Sequence, residues 1–218
     1  MKNSFRLLSF TMSILAVPAF AANPFLNAKD DKPISADVRG TEWNDEYTNG
    51  DIPLSGRMIT TRVASMSWGA IFKIEFIDLK SHATQKREIF PLYFIATDDR
   101  IVLFDASGYV QVESGTMTTE QSEKYNAAAI KKISAMEKPP DFEQGDIRAI
   151  NSGKMNFEEG PYTTEIAVKG DQSTYTTSHN SGHYTKFVWK KGVGLVEYAT
   201  NYGAAKDGYH LKRSAGKK

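Results

Sequence analysis

From Pro161 to the C terminus the chain alternates between apolar and polar positions. Tyr162, Thr164, Ile166 and Val168 oppose Thr163, Glu165 and Lys169 ahead of Gly170-Asp171, a period-two pattern that predicts a half-buried strand closed by a turn. Asn180-Ser181-Gly182, Lys191-Gly192 and Lys206-Asp207-Gly208 repeat this punctuation every ten to twelve residues or about that, which is the rhythm of an antiparallel meander. Between Arg57 and Asp105 the same period returns, with Phe72, Ile74 and Phe76 on one side and Lys73 and Glu75 on the other. Phe90, Leu92 and Phe94 interleave with Ile89, Tyr93 and Ile95, so this run is apolar on both faces and predicts a central strand covered twice. Pro91 inside it cannot donate to a ladder and belongs at an edge or a bulge. Asp98-Asp99-Arg100 turns the chain into Ile101 to Phe104 and predicts a hairpin.

One segment changes period. Thr118 and Gln121 have capping-box spacing, Glu120 and Glu123 suit the positive end of a helix dipole, and Pro139-Pro140 stops the pattern. Tyr125, Ala129, Ile133 and Met136 then share one stripe, which predicts a helix near 119–136 packed on a sheet face. Residues 139–160 read as a long irregular connection. Residues 22–56 read as a polar, partly flexible lead-in, because Asn23-Pro24, Lys32-Pro33, Asn49-Gly50 and Ile52-Pro53 interrupt any period, and Trp43 and Tyr47 are there to dock it. The expected organisation is a leader over 1–21, this lead-in, a single β-rich domain over 57–213, and a basic tail over 214–218. The fold class is α+β, mainly β: a curved antiparallel sheet or half-open barrel of roughly eight strands with one long helix against its concave face.

The first 21 residues set the expected destination. Lys2 and Arg6 precede an apolar run from Leu7 to Val17, and Ala19-Phe20-Ala21 places small residues before a cut ahead of Ala22. The run is about half of what a membrane-spanning helix needs, so it predicts a secretory leader and a periplasmic or secreted mature chain with no transmembrane segment. Removing 1–21 takes two bases and no acid, so 25 bases face 26 acids, and the cationic field of a nucleic-acid binder is missing. Cysteine is absent, which excludes disulfides, thiol catalysis and thiolate metal sites and leaves stability to packing.

Trp189-Lys190-Lys191-Gly192-Val193-Gly194-Leu195-Val196-Glu197-Tyr198 resembles the W-x-x-G-x-G-L-x-x-Y closing hairpin of bacterial secreted or lipid-anchored β-rich proteins. The resemblance covers roughly a tenth of the chain and implies an envelope protein, without implying a mechanism.

Catalytic constellations are sparse. His179 and His183 bracket a turn instead of lying on a helix, and His82 and His210 are distant in sequence, so no metal site is expected. No Gly-x-Ser-x-Gly elbow or phosphate-binding loop is present, and Asp30-Asp31, Asp98-Asp99 and Glu158-Glu159 are neighbours that a strand would point apart. No catalytic residue and no cofactor is therefore assigned. The richest feature is aromatic: Tyr184, Trp189, Tyr198, Tyr202 and Tyr209 are the candidate binding residues, weighed against plain cross-strand packing. The expected function is non-enzymatic binding of a hydrophobic small molecule or of an envelope protein. The alternatives are an envelope-polymer hydrolase working through carboxylates or histidines, and an inhibitor or immunity-type protein.

Overall fold

The computed structural model describes residues 23–26, 32–43, 51–81, 89–112, 118–202 and 208–214; the proposed leader, Tyr47, His82 and most of the basic tail lie outside them. Twelve strands form one antiparallel sheet. In chain order they are β1 (Ile34–Trp43), β2 (Asp51–Met66), β3 (Gly69–Ser81), β4 (Ile89–Ala96), β5 (Arg100–Leu103), β6 (Ile147–Ile150), β7 (Lys154–Glu159), β8 (Tyr162–Lys169), β9 (Gln172–His179), β10 (His183–Lys190), β11 (Gly194–Tyr202) and β12 (Gly208–Arg213). Among the described residues the one long helix, α1 (Thr119–Ser134), falls between β5 and β6. The sheet order β6-β5-β4-β3-β2-β1-β12-β11-β10-β9-β8-β7 makes two six-strand meanders joined where β1 pairs with β12. The sheet curls into a nearly closed barrel, as the mainly β, half-open-barrel expectation required.

Glycines let β12 approach both of its neighbours closely, β1 at the join and β11 on the other side. A Cβ on Gly40 of β1 would meet the His210 carbonyl oxygen at 1.7 Å, and one on Gly208 of β12 would meet that of Thr200 at 2.1 Å. No larger residue fits there without moving backbone.

Aromatic side chains from both meanders fill the barrel. Phe94 of β4 packs edge-on against Phe187 and Trp189 of β10, at 5.8 and 5.1 Å between ring centroids. Tyr198 stacks on Phe187 at 5.0 Å and on Phe76 of β3 at 5.7 Å, and Tyr175 meets Phe187 at 5.9 Å. Among the described residues the two free edges, β6 and β7, are not paired, and β6 instead meets β9 and β10 through side chains. Ser173 Oγ accepts from the Ile150 amide at 3.2 Å, the Trp189 indole donates to the Arg148 carbonyl at 3.1 Å, and the Arg148 guanidinium lies 4.6 Å from the Tyr175 ring centre.

Several expectations need correction. The described residues of 22–56 are not a lead-in: Asn23, Phe25 and Leu26 are buried, and β1 and the start of β2 are central strands paired on both sides. Their inward row includes Val38, Gly40 and Glu42, and a glycine and a carboxylate at core positions hide the period. Residues 139–160 hold a short 3-10 turn at Gln144–Asp146 and then β6 and β7, whose four and six residues are too short to show a pattern. The described residues form twelve strands, where roughly eight are expected. The helix lies on the outer face, not the concave one. Lys73 of β3 reaches Glu123 of α1 at 3.3 Å, while the adjacent row of β3 and β4, through Phe76 and Phe94, points into the barrel.

Other local signals hold. Thr118 Oγ1 accepts from the Gln121 amide at 3.2 Å and Gln121 Oε1 accepts from the Thr118 amide at 3.0 Å, which completes the capping box. Ala129 and Ile133 are fully buried. Pro91 sits at a register shift, where Ile74 pairs with Leu92 but Phe76 pairs with Ile89. Tyr93, Phe94, Ile95 and Ala96 are all buried, so this strand is covered on both faces.

Candidate functional site

The β4–β5 ladder covers only Phe94 to Ala96 against Ile101 to Leu103, so among the described residues the rest of β4 has no strand on that side. Proline tolerates this edge because it has no N–H to leave unpaired. After Leu103 the chain leaves the sheet: the Phe104 amide bonds the Tyr93 carbonyl at 2.8 Å, and the Asp105 carboxylate caps a 3-10 turn by accepting from the Ser107 amide at 2.8 Å. The N-terminal half of α1 passes over the resulting gap. Between them lies a groove of about 380 Å³, floored by Leu92, Tyr93, Leu103 and Phe104 and walled by Val112 and Tyr125, with Asp105, Ser107, Ser122 and Asn126 as its polar rim.

The groove is held in shape from three sides. Tyr93 and Phe104 meet edge-on at 6.1 Å, and Phe104 leans on Tyr109 at 5.4 Å. Asn126 donates to the Ser122 carbonyl at 2.9 Å, so its amide is fixed within the helix. Beneath the helix, Lys73 pairs with Glu75 at 2.8 Å and with Glu123 at 3.3 Å and tethers α1 to β3. Burial acts to lower the Lys73 ammonium, but Glu75, Tyr93 and Glu123 together hold it above its ordinary value. Burial raises the Tyr93 hydroxyl, with Lys73 working against it. Burial likewise raises that of Tyr109, helped by the charge of Asp146. Both tyrosines stay neutral at physiological pH and present an apolar ring with one hydrogen-bonding tip.

Strand alternation divides the four described aromatic candidates between the core and the surface. Trp189 is fully buried, and Tyr198 stacks inside the barrel, so both pack the core. Tyr184 and Tyr209 line a smaller, polar depression of about 170 Å³ with Thr41, Thr200, Asn201 and His210. The Tyr202 side chain lies outside the described residues. His179 and His183 lie 5.8 Å apart, and His179 Nδ1 accepts from the Ser181 amide at 2.9 Å, a turn-closing role. Among the described residues no three His, Asp or Glu side chains converge to hold a metal.

Aromatic counting missed the groove residues, because Leu103, Phe104 and Asn126 are unremarkable in sequence. Two signals did point toward it: Pro91 in an apolar run, and Tyr125 at the head of the helical stripe. Among the described residues no helix is long and apolar enough to cross a membrane. Compared with known proteins, the chain matches no family model and no curated protein.

Proposed function

We propose that this is an exported, non-enzymatic binding protein of a bacterial cell envelope, and that an apolar small molecule occupies the groove between α1 and β4. The observation that carries this reading is the groove itself, a concave site of about 380 Å³ with an apolar floor and a few fixed polar groups at its rim. The packed aromatic interior leaves the barrel centre filled, so the edge groove is the better-formed place for a ligand. Phe90, next to the groove residue Pro91, is 53% exposed and extends the apolar surface outward. Export rests on the leader pattern of residues 1–21.

The test uses anilinonaphthalene sulfonate as the probe, with the mature chain and a Ser122→Trp variant that sets a larger side chain on the helix wall of the groove. Saturable binding at one site, weakened about tenfold or more in the variant, is the expected result, because a filled pocket loses the contact area that drives apolar association. Equal binding by both proteins would place the ligand elsewhere. Organic extraction and mass spectrometry of protein from native cells then identifies the natural occupant.

A further inference from the structure

Asn23 and Phe25 are fully buried and Leu26 is 2% exposed, although this stretch has no regular secondary structure. The Asn23 amide donates to the carbonyls of Thr97 and Arg100 at 2.8 and 3.2 Å, and its Oδ1 accepts from the Phe25 amide at 2.9 Å. The Gly192 amide donates to the Pro24 carbonyl at 2.8 Å, and Lys191 Nζ lies 5.7 Å from the Phe25 ring centre. The stretch therefore bridges the β4–β5 turn of one meander and the β10–β11 turn of the other, and plugs that end of the barrel.

The plug stands almost at the proposed cut. With hydrolysis after Ala21, Asn23 is the second residue of the mature chain and Phe25 the fourth. A leader peptidase takes the chain around its scissile bond in extended, accessible form, as proteolysis generally requires local opening. Asn23 cannot lie extended in a peptidase cleft while its side chain is bonded beneath the Thr97–Arg100 turn.

We propose that a seated plug blocks leader removal, so that cutting has to precede the seating of Asn23–Leu26 if the leader is to be released. In the cut, water adds to the Ala21 carbonyl carbon and the C–N bond breaks; Ala21 leaves with the leader as a carboxylate and Ala22 keeps its nitrogen as an ammonium group. A precursor that folds too early hides its own processing site. The proposal rests on residues 1–21 being a leader cut after Ala21.

The experiment takes the full 218-residue precursor, unfolded in urea, diluted, and given solubilised leader peptidase either at once or after refolding. Mass spectrometry follows the product. Immediate addition should give cleavage at Ala21–Ala22, and refolding first should slow it about tenfold or more, the protection expected of a site that needs local unfolding. Asn23→Ala and Phe25→Ser precursors, refolded in the same way, should be cut at close to the unfolded rate. Circular dichroism checks that each retains its sheet; should Phe25→Ser not fold, Asn23→Ala, which removes only the side-chain amide, decides. Equal rates before and after refolding, or folded Asn23→Ala as resistant as the parent, would overturn the proposal. A precursor left uncut even when unfolded would overturn the leader reading instead, a distinct result.

Discussion

The two meanders are built from the same number of strands and share one interior, yet they treat their outer faces in opposite ways. In β7–β12 the outer rows are mainly polar: Lys154 pairs with Glu165 at 3.2 Å, Lys190 with Asp171 at 3.3 Å, and Lys186 with Glu197 at 2.8 Å, beside the buried Val188 and Ala199. In β1–β6 the outer rows of β3 and β4 hold Ile71 and Ile95, both fully buried, on the face where Lys73 ties α1 to β3. One half thus meets water directly and needs mainly its inward row to be apolar. The other is the middle layer of a three-layer stack, and its stability depends on a helix that a meander does not by itself require.

This contrast can be tested at decreasing cost. Phe94 belongs to the shared interior, so Phe94→Ala should destabilise the whole barrel by about 3–5 kcal/mol, read from urea denaturation. Hydrogen exchange should show β4 and β10 loosening together; loosening of β4 alone would mean that the halves fold as separate units. Ile133 is fully buried under the helix, and Ile133→Ala should cost about 2–5 kcal/mol through lost burial and a cavity. Lys132→Ala, next in sequence but on the water side, should cost less than about 0.5 kcal/mol even though its Nζ donates to the Tyr109 carbonyl at 2.8 Å. Equal small losses would show that α1 is a lid and not a layer.

Thr118→Ala removes the hydroxyl half of the capping box and should cost about 0.5–2 kcal/mol, with the loss confined to α1 in hydrogen exchange. The smallest effect is on the polar half. Burial alone would raise the Glu197 carboxyl, but hydrogen bonds from Lys186 and His210 hold it below its ordinary value of 4.5. Its folded value is depressed, so its contribution is complete above that ordinary value and is lost as pH falls through the folded one. Glu197→Gln should therefore cost up to about 1 kcal/mol at neutral pH, and the gap to the parent should close in acid. Asp146 has the opposite sign. Burial raises its carboxyl, so Asp146→Asn should gain on the parent as pH rises above the ordinary value of 3.8.

The same contrast explains what could be read from the sequence. In β8 the inward residues Thr164 and Ile166 are buried while Thr163 and Glu165 are exposed, so the polar outer face makes the period visible one residue at a time. The turns after β8, β9 and β10 carry Gly170, Gly182 and Gly192 at positive φ, which the turn signals anticipated. Where α1 covers the sheet both rows are apolar, and alternation can announce a doubly covered strand without saying which row faces the barrel. That is why the helix was expected on the wrong face. β1 was missed for a different reason: its inward row needs a glycine for backbone approach at the join, so the position that most constrains the fold carries no hydrophobic signal. The groove was half legible, since it arises where β5 ends, and a strand's length depends on its neighbours more than on its own residues.

Of the ladders among the described residues, all but one join strands that follow each other in the chain; the exception is β1 with β12. Those two strands run side by side near the chain ends, and the Ser214 amide bonds the Asp37 carbonyl at 2.8 Å. A circular permutant that links these ends and opens the chain at Asn151–Gly153 would lay its strands down in the order in which they sit in the sheet. The native chain must instead close a loop of nearly its whole length to form the central pairing, an entropic delay that the permutant would escape. The permutant should therefore fold faster than the parent while unfolding at a similar rate.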